Sequence, residues 1–521
     1  MKKLNLFIIA VIINFAVFFL PFNLFAQNIK WQKSFGGILN DCAQSIQKTI
    51  DGGFIVVGYT NSNDSDVIGN HGTYDFLVIK LDSLGNILWQ KCFGGMYGDV
   101  GYSIQQTTDG GYVVAGVTSS NDGDMIGNHG GSDCLIIKLD ALGDIQWQKC
   151  IGGSGNEEAY FIQKTFDGGY IFSGFSSSND GEIVGNHGGY DYLIVKLNYA
   201  GNIQWQKSLG GSGDDVAYCI KQTTDSGYVV AGYSQSNNGD VTGNIGSCDY
   251  WIVKLNSTGS IVWEKNFGGI NTEFALSIEQ TSDEGFIISG MSNSNDGDVI
   301  GNHGGTDCLL LKLNSGGDIQ WEKSLGGTGA DYLYNIRKTL DKGYIAVGYS
   351  NSDSCNGNSN GDLWIVKMDS LGNILWQKCF GGSDVDIGYC IEQIDSNSYI
   401  FSGMSGSSDV DLTNNHGNTD FWVVKLSSNF ENIENINLFS NIEIYPNPAE
   451  NFILIKFSAS KTDLYKIRLF NLLGQVVLEK NFQTQQGENQ LNLRINEIPV
   501  GVYLICIQCN ENSFIKIVVK K

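Results

Sequence analysis

The chain has 521 residues, only 17% of them charged, and a formal net charge of −23. Such an acidic balance argues against nucleic-acid phosphates or an anionic membrane surface as partners, since both would be repelled. Cations and neutral ligands such as sugars stay open, and the length exceeds one small domain.

Met1-Lys2-Lys3 is followed by a nearly unbroken apolar run from Leu6 to Ala26. A basic start, an apolar middle and a small residue before Gln27 predict a secretory signal peptide over residues 1–26. The alternative is a retained N-terminal anchor, against which Asn14, Pro21 and Asn23 weigh.

A tryptophan then recurs at Trp31, Trp89, Trp147, Trp205, Trp263, Trp321 and Trp376, every 58 residues and finally after 55. Periods of this size belong to repeat architectures, in which a unit that cannot bury its apolar face stacks on its copies. The second repeat shows the unit clearly. Gly101–Thr107 and Gly111–Thr118 read as two strands joined by Thr108-Asp109-Gly110, a tight turn for which glycine supplies the positive φ. Cys134–Leu139 is a third strand, apolar on consecutive positions as a doubly covered strand is, and Ile145–Cys150 is a fourth. No proline falls between Pro21 and Pro446, so nothing interrupts these ladders.

Four strands per repeat predict a propeller blade. The chain enters on a lone fourth strand, Ile29–Phe35, and leaves the repeats on a third strand, Phe421–Leu426. Seven complete blades exist only if the N-terminal strand completes the last one, which removes the exposed edges of an open array. The expected fold is therefore all-β, a seven-bladed β-propeller over residues 28–430. An open solenoid is the alternative, and it leaves both orphan strands unexplained.

The candidate site residues fall into sets that repeat from blade to blade. The loop from second to third strand is long (Ser119–Asp133 in the second repeat), and long loops on a rigid scaffold are where binding concentrates. All five histidines share one position in it: His71, His129, His187, His303 and His416. They lie on different blades, so a common metal or catalytic cluster is excluded, and a local hydrogen-bonding role is expected. In the same loop Asp64 and Asp66, Asp122 and Asp124, Asp180 and Glu182, and Asp296 and Asp298 offer hard oxygen ligands at the alternate spacing of a calcium loop. Ca2+ is thus a candidate cofactor, against the simpler reading of plain turn formers. An acid precedes each expected first strand: Asp41, Asp99, Glu157, Asp215, Glu273, Asp331 and Asp386. These could ring the channel mouth and attract cations, or accept hydrogen bonds that tie the blades together. The Asp opening each third strand (Asp75, Asp133, Asp191, Asp249, Asp307, Asp362, Asp420) reads as structural.

The cysteines mostly replace Phe, Tyr, Leu, Ser or Asn at repeat positions, so they read as buried small residues. One disulfide suggests itself: if Leu139 faces Ile145, Cys134 faces Cys150. Cys506 and Cys509 lie at an odd spacing on a strand, with no second pair or nearby His, which argues against zinc.

After the repeats, residues 431–441 form a polar linker, and short alternating runs over 442–521 predict a small Ig-like β-sandwich. Here nine Lys or Arg face seven Asp or Glu, so the acidic excess belongs to the repeats. Tyr445-Pro446-Asn447-Pro448, the Asn471–Val477 stretch with Gly474, Pro499-Val500-Gly501-Val502-Tyr503 and the basic end Lys516–Lys521 occur here in order. With these motifs the segment resembles the type A C-terminal sorting domain of the type IX secretion system of Bacteroidota. The resemblance implies passage across the outer membrane by that machinery, removal of the domain, and release or attachment at the cell surface. It is silent on the repeats, which themselves resemble those of other exported proteins of that group.

The resulting expectation is a monomeric, non-enzymatic exported propeller used for binding or adhesion, with a glycan or other surface ligand. The alternatives are a secreted enzyme acting on polysaccharide and a purely structural surface protein. Catalysis needs groups in different roles, and near-identical blades supply copies.

Overall fold

The computed structural model describes residues 27–352, 355, 360–412, 414–428, 440–459, 462, 464–471, 476–509 and 512–521. The expected signal peptide, residues 431–439 of the expected linker and Gly474 lie outside the described residues. The described chain is all-β, with thirty-five strands, β1–β35 in chain order, and no helix able to cross a membrane. It divides into two compact units, one carrying the repeats and one the C-terminal segment.

In the first unit the strands form seven four-stranded antiparallel sheets. Sheet I consists of β2 (Asp41–Lys48), β3 (Phe54–Thr60), β4 (Asp75–Leu81) and β5 (Ile87–Phe93), and sheets II to VI repeat it. Sheet VII takes β26 (Asp386–Asp395), β27 (Ser398–Ser405) and β28 (Asp420–Ser428) from the end of the repeats and β1 (Gln27–Phe35) from the start. β1 pairs antiparallel with β28 from Gln27 opposite Ser428 to Phe35 opposite Phe421, so the two orphan strands close one sheet. Each sheet packs its second strand on the first strand of the next, and β27 packs on β2. The round is closed and propeller-like. The remaining first strands are β6 (Asp99–Gln106), β10 (Glu157–Lys164), β14 (Asp215–Gln222), β18 (Glu273–Gln280) and β22 (Asp331–Lys338). Together with β2 and β26 they touch in sequence around the axis.

The repeat signature follows from this packing. Third strands such as β4 are buried at every residue, which explains their unbroken apolar runs. Even Lys80 is buried along its stem, its ammonium reaching Asp51 of the first hairpin turn at 2.9 Å. Gly85, at φ +82, lies under the Trp31 ring, where a Cβ would come within 2.9 Å of the indole. The recurrent tryptophan is thus the outer-strand plate on which the next sheet's turn rests. Gly58 faces the bulged stretch of β2, and a Cβ there would lie 1.8 Å from the Cys42 carbonyl oxygen.

Two expectations change. First strands begin at the acid itself, two residues before Gly101 in sheet II, because Asp99 N–H already bonds the Tyr74 carbonyl. The Cys134–Cys150 pairing does not form: a bulge between Lys138 and Leu139 shifts the register, so Cys134 faces Ile151 and Leu135 faces Cys150. The disulfide joins Cys355 to Cys379 instead. Cys355 is buried in the shorter loop of sheet VI, which has no histidine, and the bond fastens that loop to the outer strand.

The second unit has a three-stranded sheet, β29 (Ser440–Tyr445), β30 (Phe452–Ala459) and β33 (Gly487–Arg494). Its four-stranded sheet comprises β31 (Leu464–Phe470), β32 (Val476–Gln483), β34 (Gly501–Cys509) and β35 (Asn512–Lys520). One core, including Ile453, Ile455, Leu493, Ile467 and Ile505, joins the two sheets. The last two residues of the expected linker already belong to β29.

Candidate functional site

The seven acids that open the first strands are fully buried. Asp41 accepts from Gly37 N–H at 2.8 Å and the Ser62 hydroxyl at 2.9 Å, with Thr60 on its other oxygen. Asp99 repeats this with Gly95 and Ser120 and Asp215 with Gly211 and Ser236, while Glu157 accepts from Gly153 N–H on one oxygen and from the hydroxyl of Ser176, the counterpart of Thr60, on the other. Asp331 and Asp386 follow Asp41 with Gly327 and Ser352 and with Gly382 and Ser407, and Glu273 follows Glu157 with Gly269 and Ser292. These carboxylates are knots that tie the segment entering each sheet to the end of that sheet's second strand, and none lies on the wall of the two axial cavities described below. Burial pushes Asp386 up to about 6.

Each histidine is clasped by the Asp that opens its third strand. The imidazole Nδ1 lies 2.6–2.7 Å from the carboxylate of Asp75, Asp133, Asp191, Asp307 or Asp420, and the same oxygen accepts the histidine's own N–H. The partner is thus a carboxylate as well as loop backbone. The Asp75 hydrogen bond raises the His71 pKa, while burial pushes Asp191 to about 6. In sheet IV Ile245 N–H keeps the backbone half of the clasp on Asp249 at 2.8 Å.

The Asp-x-Asp steps do not converge. Asp64, Asp122, Asp180 and Asp296 each accept the N–H of a residue entering the sheet (Ile38, Met96, Ser154 and Ile270) at 2.8–3.0 Å. The N–H groups of Asp66, Asp124, Glu182 and Asp298 bond the carbonyls of Gly36, Gly94, Gly152 and Gly268. Among the described residues no three His, Cys, Asp or Glu side chains are placed to hold a metal ion.

The residues that sequence reasoning missed line the axis. Two cavities share Ser45, Ser103, Phe161 and Arg337 in their walls. The smaller, about 510 Å3, lies towards the strand starts and is belted by Tyr102, Tyr160, Tyr218, Tyr332, Tyr334 and Tyr389. Ring centroids are 5.0 Å apart for Tyr102–Tyr160, and 5.1 Å for both Tyr160–Tyr218 and Tyr334–Tyr389. Gln44 and Leu276 interrupt the belt. Tyr102 donates to Glu158 at 3.1 Å, a carboxyl that burial pushes up.

The larger cavity, about 700 Å3, opens towards the first hairpin turns, where Phe166, Thr224 and Leu340 edge it. The long-loop face expected to do the work is at the opposite ends of these strands. Here one register position reads Gln47, Gln105, Gln163, Lys221, Glu279, Arg337 and Glu392 around the axis. In sheets I to III the glutamine Oε1 accepts the N–H of Gln106, Lys164 or Gln222 in the next first strand. In sheets IV to VI the pattern changes, while Glu392 of sheet VII keeps it by accepting Lys48 N–H at 2.6 Å. Lys221 and Arg337 both bind Glu279 Oε1, at 2.8 and 2.7 Å. Burial alone would raise the Glu279 pKa, but the two cations hold it at about 2. One position further along, the Oε1 atoms of Gln222, Gln280 and Gln393 accept the N–H of Phe166, Thr224 and Leu340. The signal was present as a departure from the repeat: identical copies carry the frame, and the axial positions are where the copies diverge.

In the C-terminal unit, Asn447 accepts Val519 N–H at 2.9 Å and Ala449 N–H bonds the Val519 carbonyl, so the Tyr445–Pro448 motif fastens the last strand. Tyr503, near Gly501 at the start of β34, donates to the Pro499 carbonyl at 2.7 Å. Residues 443–521 match the family described as secretion system C-terminal sorting domain. The chain is therefore an exported one, carried by the type IX secretion system to the cell surface or the extracellular space, and the sorting domain engages that machinery. For the repeats, a WD repeat-containing protein of Acanthamoeba polyphaga mimivirus is 20% identical over 58% of this chain and 29% of its own length. The chain thus spans less than a third of that relative. The PQQ-bound aldose sugar dehydrogenase of Streptomyces coelicolor is 9% identical, with 77% of this chain and 98% of that one covered at a TM-score of 0.34. A puromycin hydrolase is also 9% identical, with coverages of 80% and 59% and a TM-score of 0.40.

Proposed function

We propose that the exported chain is a monomeric, non-enzymatic binding protein: a seven-bladed β-propeller that holds a glycan in its axial channel. An Ig-like sorting sandwich follows the propeller. The observation that supports a binding site is the tyrosine belt above a polar floor, at axial positions where neighbouring repeats present different chemistry. Aromatic faces stack on the C–H faces of sugar rings, and amides bond vicinal hydroxyls. The cavity volumes fall within the roughly 300–1,000 Å3 of small-ligand sites. Asp386, Asp191 and their counterparts are buried knots repeated from sheet to sheet, which is a framework role rather than an acid and base pair, while Glu158 and Glu392, also raised by burial, stand outside that frame and bond the Tyr102 hydroxyl and Lys48 N–H. The Tyr503 hydroxyl bond to Pro499 supports the Ig-like assignment, since it has the form of a tyrosine corner.

A glycan array probed with the secreted protein tests this reading. Tyr102→Leu and Tyr160→Leu place at these sites the residue that sheet V carries as Leu276. The expected result is a restricted set of bound glycans, a loss of about tenfold or more in affinity for the double variant (~1.4 kcal/mol) and an unchanged melting midpoint. Unaltered affinity in the variant would move the site off the axis.

A further inference from the structure

We infer that the ligand is an acidic saccharide, carrying carboxylate or sulfate groups, which enters the channel from the hairpin-turn side. This rests on the glycan reading of the channel and adds the charge of the ligand and its route.

Three features of that mouth agree. First, its amides are fixed as donors. The Oε1 atoms of the six lining glutamines described above already accept backbone N–H bonds, so the groups left to face the cavity are NH2 groups. Second, the cavity wall has more cations than anions. Lys221, Arg337 and Lys338 line it against Glu279 and Glu392, and Lys48 and Lys164 share the register position of Lys338 in sheets I and III. Glu279 is shared by two cations, and one Glu392 oxygen is occupied by Lys48 N–H. The guanidinium of Arg337, four-fifths buried, has further donors beyond the single one given to Glu279, and it lines the cavity.

Third, one acid in each of six first hairpin turns of that face is already neutralised. Asp51, Asp109, Asp167, Asp225, Asp283 and Asp341 at the hairpin turns each pair with a third-strand lysine at 2.8–2.9 Å. The six full-length loops at the opposite ends of the sheets contain no Lys or Arg at all. An anion approaching from that side meets repulsion, and one approaching the turns meets a donor-lined well. An acceptor-rich polyanion fits the second mouth, and a neutral sugar leaves its surplus charge unused.

Isothermal titration of the secreted protein with trigalacturonate, maltotriose and inorganic sulfate tests the inference. Two variants accompany it. Arg337→Gln writes into sheet VI the residue that sheets I to III carry and leaves the Lys221–Glu279 pair intact; Lys338→Glu changes an exposed side chain. The expected result is that trigalacturonate binds at least tenfold tighter than maltotriose, weakens at least tenfold in each variant, and weakens further with added salt, while the melting midpoint of the exposed Lys338→Glu variant holds. Equal binding of the two trisaccharides, or tighter maltotriose binding, would overturn the acidic ligand and leave the glycan reading standing. Sulfate binding as tightly as trigalacturonate would reduce the site to an inorganic-anion site. No binding of any probe, together with a blank glycan array, would overturn both readings.

Discussion

At the residue scale, the axial triad shows how one substitution in a repeat creates a dependence on two others. Among the described residues Glu279 is the only carboxylate bonded to Lys221 and Arg337, and all three side chains are at least four-fifths buried. Removing one partner of a buried ion set leaves charge uncompensated, which costs about 3–5 kcal/mol. Glu279→Gln should therefore destabilise the fold by that order in chemical denaturation. The triple variant Lys221→Gln, Glu279→Gln and Arg337→Gln should recover most of the loss, because it rebuilds the glutamine-to-backbone bonds that sheets I to III use. If the triple variant is as unstable as the single one, the triad is not the source of the loss. The same glutamine row explains why the channel escaped the sequence reading. Averaging the repeats recovers their common residues, and Lys221, Glu279 and Arg337 look like noise around a consensus until the register places them together.

At the element scale, most of the architecture was legible because it is carried by copies. The tryptophan period, the doubly covered third strands and the unpaired ends together predicted the pairing of β1 with β28. The failures are local. Bulges between Lys138 and Leu139 and between Gly101 and Ser103 each add a residue to one strand. A one-residue slip sends Cys134 away from Cys150, and period-two patterns give no sign of it. The acid ring was found by its spacing, and the hydrogen bonds it accepts, one of the two roles expected for it, come from partners near in sequence: Gly37, Thr60 and Ser62 lie 4, 19 and 21 residues from Asp41. Closure itself carries a test. Without residues 27–35, β28 becomes an exposed edge carrying Trp422, and the ring has no covalent means of staying shut. The shortened chain should form soluble oligomers or aggregate in size-exclusion chromatography, and a synthetic peptide of residues 27–35 should restore the monomer. A monomeric shortened chain with an unchanged melting curve would show that the strand pairing is dispensable.

At the scale of the whole molecule, charge is sorted by depth, and that sorting sets the response to pH. Burial raises Asp41, Asp75, Asp99, Asp133, Asp215 and Asp420, and lifts Asp191, Asp249 and Asp386 to about 6. A carboxyl raised on folding contributes stability that is complete below its unfolded value of 3.8 and is lost as the pH rises through the folded value. The Asp75 and Asp133 bonds that raise His71 and His129 act in the same sense, favouring the fold below the unfolded histidine value of 6.5. The turn carboxylates oppose this at the acid end. Burial pushes Asp51, Asp109, Asp167 and Asp225 up, but hydroxyl and lysine partners more than offset it and hold them at about 2. Their contribution is present above 3.8 and disappears as the pH falls towards 2. The melting midpoint should therefore rise from pH 8 to about pH 4–5 and fall steeply below about pH 3. Self-repulsion of an acidic chain bends the curve the same way on the alkaline side, but added salt screens it, whereas buried carboxyls are screened little. A rise that persists in about 0.5 M salt, and shrinks in Asp386→Asn, would assign the effect to the knots. A midpoint that climbs steadily to neutrality would mean that these carboxyls are ionised at no cost, and that the loops around them supply more hydrogen bonds than Gly382, Ser405 and Ser407 give to Asp386.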